Sequence, residues 1–123
     1  MEQERRQSTR LWSRLTTTFK FLTTGKVLHA LTRDVSGVGV CLLTEDPLEV
    51  GTSLDVQIKL PDVTAPVTFA GEVVWSKPLT SATQSYIGEF AAETGVKFVR
   101  IDPKARSLIL QYTTLNALPP ESR

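Results

Sequence analysis

From residue 54 to residue 60 the chain alternates: Leu54, Val56, Ile58 and Leu60 are separated by Asp55, Gln57 and Lys59. A period of two puts every apolar side chain on one face of an extended strand. Pro61, which lacks a backbone donor, ends the run. The alternation returns as Val67, Phe69, Val73 and Trp75 against Thr68, Glu72 and Ser76, with Gly71 inside. A glycine within a strand marks a bend or bulge of the kind that barrel closure needs. The shared face predicts a core place for Trp75. Earlier in the chain, residues 15–22 are rich in Thr and Phe, which suit a pleated surface. Thr23-Thr24-Gly25 reads as a turn, with further strands at 26–33 and 38–43 and the last clear strand at 95–101. Residues 77–94, rich in Ser and Thr, read as a loop with a short strand near Tyr86.

At Asp102 the period changes. Asp is a good N-cap, Pro103 suits the first helical position, and Ala105, Leu108, Ile109, Tyr112 and Leu115 follow at helical spacing. Pro119-Pro120 stop the helix. Short strands at roughly even spacing followed by one helix predict a mainly β chain: an antiparallel barrel with the C-terminal helix packed on it. Residues 1–14 have no apolar period and read as an arm, residues 15–118 as the barrel with its helix, and 119–123 as a tail.

Composition narrows the class. With 123 residues, 41% hydrophobic and 22% charged, the chain fits one globular domain of ordinary size. Its apolar runs are far shorter than a bilayer span, and the polar first ten residues are not a secretory signal. Cys41 is the single cysteine, which makes a reducing, cytoplasmic compartment the simplest expectation. Charge is uneven. Residues 1–40 carry seven basic against three acidic residues (+4), and the remainder seven against ten (−3). A basic first third on a mildly acidic body suggests one local anion site rather than a nucleic-acid-binding surface.

Two segments could form that site. Arg5-Arg6-Gln7-Ser8-Thr9-Arg10 places Arg6 and Arg10 four apart with Arg5 just before. Guanidinium forks bind phosphate oxygens bidentately, match O6 and N7 of guanine, and stack on bases. The second is Asp34-Val35-Ser36-Gly37-Val38-Gly39, between two predicted strands. The Asp34 carboxylate can accept from the N1–H and amino group of guanine. Ser36 offers a hydroxyl, and Gly37 and Gly39 permit positive φ and close approach of the backbone. Each segment alone is common in proteins. Together they are specific.

Together they resemble the PilZ family of cyclic di-GMP receptors, whose hallmark is R-x-x-x-R followed by [D/N]-x-S-x-x-G. Arg6, Arg10, Asp34, Ser36 and Gly39 match it without departure. Gly71-Glu72-Val73-Val74-Trp75 is similar to the family's fifth-strand region and Gly95-Val96-Lys97-Phe98 to its closing strand. The resemblance implies a six-stranded antiparallel barrel with the arm wrapping over its mouth. It also implies that Arg6 and Arg10 contact guanine edges and phosphates, that Asp34 and Ser36 hold guanine from the barrel side, and that Gly39 permits close approach. The resemblance further implies that Arg5, before the pair, would favour a stacked, intercalated pair of ligands. The expected function is a non-enzymatic receptor of a bacterial second messenger, in which a flexible basic arm orders over the ligand and switches a partner interaction. The expected partner is an unidentified effector protein, for which the resemblance offers motility, adhesion or exopolysaccharide machinery as family-level options.

The remaining candidates read more plainly. Trp75 could stack on a guanine, although its strand face favours the core. Trp12 reads as an anchor for the arm, Cys41 as a small core residue, and Arg14 and Lys20 as solvated surface. His29 is the single histidine, so no metal cluster is expected, and no G-x-S-x-G elbow supports catalysis. No cofactor is expected beyond the ligand, and no nucleic acid. Two rivals stay open: a degenerate barrel that serves only as a protein adaptor, and an OB-type barrel that binds nucleic acid.

Overall fold

A computed structural model describes residues 11–12, 14–61, 63–79 and 90–116, without the side chains of 11, 12 and 114–116. The strand envisaged near Tyr86, Arg5, Arg6 and Arg10 of the arm, and the 119–123 tail lie outside the described residues. Seven strands and one helix follow in order. They are β1 (Leu11–Trp12), β2 (Thr16–Phe21), β3 (Val27–Val35), β4 (Gly39–Thr44), β5 (Ser53–Ile58), β6 (Val67–Pro78), β7 (Ala92–Ile101) and α1 (Pro103–Asn116).

All pairings are antiparallel, in the order β1-β3-β2-β5-β6-β7-β4, and a further β3–β4 pairing closes the sheet. Strands β2 to β7 thus form a closed six-stranded barrel, as the family resemblance implies. Strand β1 is an addition to it. It pairs with Asp34 and Val35 on β3, beyond the Val27–Leu31 stretch that pairs with β2. Between the two, Leu15 donates its N–H to Thr32 Oγ1 at 2.8 Å and accepts from the Thr32 N–H at 3.1 Å. Leu11 and Trp12, in the segment read as an arm, thus pair with the barrel.

The alternation on β5 is borne out residue by residue: Leu54, Val56 and Ile58 are buried, Asp55 and Gln57 exposed. They join Phe19, Val35, Leu42, Phe69, Val73 and Val96 in the barrel core. Irregular register bends the wall, with shifts between Thr32 and Asp34 on β3 and at Ala70/Gly71 and Val73/Trp75 on β6. At Gly71 a Cβ would press on the Val96 side chain, so the glycine serves close packing at the first β6 shift. Asp102 caps α1, accepting the Lys104 N–H on Oδ1 at 3.2 Å. The helix buries Ile109 fully and lays Ala105, Leu108 and Tyr112 against the core. Among the described residues, no helix is long and apolar enough to cross a membrane.

Candidate functional site

Backbone pairing brings one row of residues across five strands: Trp12 on β1, Asp34 on β3, Cys41 on β4, Gly95 on β7 and Trp75 on β6. Asp34, Cys41, Gly95 and Trp75, with Ser36, Val38, Gly39, Val40, Val74, Val96 and Lys97, line a cleft of about 150 Å³. The motif read from the sequence thus converges with Trp75 at one place.

Trp75 arrives there by a departure from the expected pattern. It is 36% exposed rather than buried with Val67, Phe69 and Val73. Val73 pairs with Val96 and Trp75 with Gly95, so Val74 is an extra residue on β6. One inserted residue turns every later side chain to the opposite face. The indole then lies against Gly95, where any Cβ would collide with it. Lys77 Nζ stands 5.7 Å from the centre of the ring.

Asp34 also differs from its predicted setting. It belongs to β3 rather than to the following turn, and it is buried. The register shift leaves Arg33 as the extra residue, and Arg33 Nη1 donates to Glu93 Oε1 at 3.1 Å. Glu93 is itself buried, with Lys77 Nζ 4.0 Å away.

The turn after Asp34 is internally bonded. Ser36 donates its hydroxyl to the Gly39 carbonyl at 3.2 Å, and the same oxygen accepts the Val38 N–H at 3.2 Å. The Ser36 N–H also reaches the Gly39 carbonyl, at 3.0 Å. The Ser36 hydroxyl thus shapes the turn. Gly39 does not owe its place to positive φ, which among the described glycines occurs at Gly25 and Gly51. A Cβ at 39 would strike the Val96 carbonyl oxygen and come within 3.1 Å of Lys97 Cα. The close approach that requires this glycine is therefore that of β7.

Cys41 is buried, as expected, but it lines the cleft instead of joining the core cluster. Burial, and after it the Asp34 and Glu93 carboxylates, push its thiol up to about 11. Exposed Arg14, Lys20 and His29 lie on or beside β2 and β3, outside the cleft. Among the described residues, no group of His, Cys, Asp and Glu could hold a metal. A larger concavity of about 640 Å³ lies on the β2, β5 and β6 wall. It contains none of the motif residues, and Lys20 there sits opposite Asp55. Size alone does not identify the site.

The PilZ domain model matches residues 4–115. The chain belongs to the PilZ family. No curated protein sequence matches it. Solved structures that resemble this PilZ chain include the motility inhibitor MotI/DgrA of Bacillus subtilis, at 20% identity and TM-score 0.74, covering 93% of this chain and 53% of that one. The PilZ domain of YcgR from Escherichia coli, solved with c-di-GMP, matches at 15% identity and TM-score 0.69, over 97% of this chain and 95% of that one. MrkH of K. pneumoniae, solved as a c-di-GMP complex, matches at 17% identity and TM-score 0.70, over 89% and 51%. The chain thus spans about half the length of MotI and of MrkH. At these identities the likeness establishes the fold. Another MrkH structure is described as that of a c-di-GMP-dependent transcription regulatory factor, so the expectation of no nucleic-acid partner does not follow from the fold.

Proposed function

We propose that this PilZ domain is a non-enzymatic receptor for cyclic di-GMP that switches the binding of an effector protein. The observation that carries the reading is the convergence of Asp34, Ser36, Gly39 and Trp75 on one cleft, with β1 paired directly onto Asp34. Leu11, the residue after Arg10 in the sequence, pairs with Val35, and the next residue along from Val35, Ser36, lines the cleft. The cleft, at about 150 Å³, is smaller than a complete small-molecule site of roughly 300–1,000 Å³. It suits one guanine, and the arm supplies the other wall.

In this mechanism the Asp34 carboxylate accepts hydrogen bonds from the guanine edge and Trp75 offers a stacking face. Arg6 and Arg10 close over the phosphates and the second base, and Arg5 adds charge that favours an intercalated pair. Closure changes the surface around the barrel mouth, and the partner reads that change. The ligand's higher affinity for the closed state drives the switch. The complexes of YcgR and MrkH with c-di-GMP support the ligand class.

Calorimetric titration of cyclic di-GMP into the protein and an Arg6→Ala/Arg10→Ala double variant tests the reading. Saturable binding by the first alone is expected, with the stoichiometry giving one ligand or two. No binding by the unaltered protein would leave the protein-adaptor reading instead.

A further inference from the structure

The helix and the D-x-S-x-x-G turn are far apart in sequence, yet one side chain joins them. Arg106 Nε donates to the Gly37 carbonyl oxygen at 3.1 Å. Gly37 is buried, and it lies at the tip of a turn whose other polar groups bond one another: Ser36 with Gly39, and Val38 with Ser36. A buried carbonyl needs a donor, and a bond from a charged donor is stronger than a neutral one. The donor is well fixed at its own end. Arg106 gives its N–H to the Asp102 carbonyl at 2.9 Å, closing the first turn of α1 behind the Asp102 cap. Ala105, Leu108 and Ile109 hold that turn against the barrel. Arg106 shares a second, apolar cleft with Gly37, Val38, Phe98, Val99 and Ile101; of these only Val38 also lines the Asp34–Trp75 cleft, so the two tethered groups themselves lie outside it. The backbone locks in the same place, since Phe98 donates its N–H to the Val38 carbonyl at 3.1 Å.

We infer that Arg106 is a positioning residue. It preorganises the ligand-binding turn through the Gly37 carbonyl and couples ligand occupancy to the docking of α1. The coupling rests on the receptor reading above; the positioning of the turn does not. A turn held in its bound shape loses less freedom on binding, which is a gain in affinity without a ligand contact. By linkage, a ligand that favours the ordered turn must strengthen the helix contact to the same degree.

The test uses the full chain, Arg106→Ala and Arg106→Lys, the last keeping a cationic donor. Amide hydrogen exchange without ligand comes first. Arg106→Ala is expected to speed exchange at Val38 and Phe98 about tenfold while leaving β5 unchanged, and Arg106→Lys to restore much of the protection. In calorimetry Arg106→Ala is expected to weaken cyclic di-GMP binding about fivefold, a fraction of what a direct charged contact gives. Ligand should slow exchange at the Arg106 amide in the unaltered protein and not in Arg106→Ala. Unchanged exchange at Val38 and Phe98 in Arg106→Ala would overturn the positioning role, and loss of protection throughout the barrel would mean general destabilisation instead. Changed turn exchange with unchanged affinity would overturn the coupling. If the unaltered protein binds no cyclic di-GMP, the receptor reading and the coupling fall together, and exchange at the turn still decides the tether.

Discussion

The indole of Trp75 occupies the space that a side chain at Gly95 would fill. The two residues are register partners on β6 and β7, and the extra residue Val74 is what turns the ring outward to meet the glycine. A large aromatic packed against a neighbouring strand meets a base at small entropic cost. Trp75→Ala is expected to weaken cyclic di-GMP binding by about 1–3 kcal/mol, the usual worth of a base–aromatic stack. The melting temperature should move little, since the ring is not part of the core. Gly95→Ala should weaken binding similarly by displacing the ring. Titration and thermal melts of both variants check this, and full affinity in Trp75→Ala would remove the ring from the site.

On the proposed receptor reading, Asp34 discriminates between bases. Asp34→Asn keeps the size of a buried side chain but replaces one acceptor oxygen with a donor. Binding of cyclic di-GMP is expected to fall by about tenfold or more, a charged hydrogen bond being worth roughly 1.5–3 kcal/mol. The adenine dinucleotide, lacking guanine's donors, should lose much less. Competition titrations with the two ligands measure the ratio. An equal loss for both would assign Asp34 to holding the wall together.

Much of this arrangement was legible from the sequence, and what was not has identifiable causes. The β5 pattern and the Asp102 cap are local signals, and each appears where the residues predict it, whereas the D-x-S-x-x-G run begins inside β3 at Asp34 and not in the turn. Trp75 was misassigned because a period of two carries across a strand only while no residue is inserted, and the insertion at Val74 depends on β7. Strand β1 is two residues long, too short to show any period, and it exists because β3 extends past β2 to Asp34 and Val35. The start of β7 read as loop because it belongs to the Ser- and Thr-rich run that ends just past Glu93. Glu93 is buried through Arg33, sixty positions away in the chain. Arg106 carries no motif, and only the packing of α1 reveals its reach to Gly37.

Gly39 should prove a folding residue as much as a ligand residue. Gly39→Ala drives a methyl into the Val96 carbonyl oxygen, and backbone yields less readily than a side chain. A loss of about 1–3 kcal/mol in stability is expected, typical of overpacking. Urea unfolding measures it, and ligand binding should fall with it. Wild-type stability with lost binding would mean that β7 moves aside and that the glycine serves the ligand alone.

Cys41 gives a probe of the cleft and a sign for its pH dependence. Its thiol is pushed from 9.0 to about 11, by burial and then by Asp34 and Glu93. The folded chain therefore binds this proton more tightly than the unfolded chain does. The resulting stabilisation is complete below about pH 9 and is lost as pH rises toward 11. Cys41→Ala should flatten the fall in melting temperature over that window relative to the unaltered protein. Because the thiolate is the reactive form, a disulfide reagent at pH 8 should label the native protein far more slowly than the protein in denaturant. Bound cyclic di-GMP, sitting over Asp34 and Cys41, should slow labelling further. Rapid, stoichiometric labelling of the native protein would show that the thiol is open to solvent, and labelling indifferent to a ligand that binds elsewhere would move the site off this row of residues.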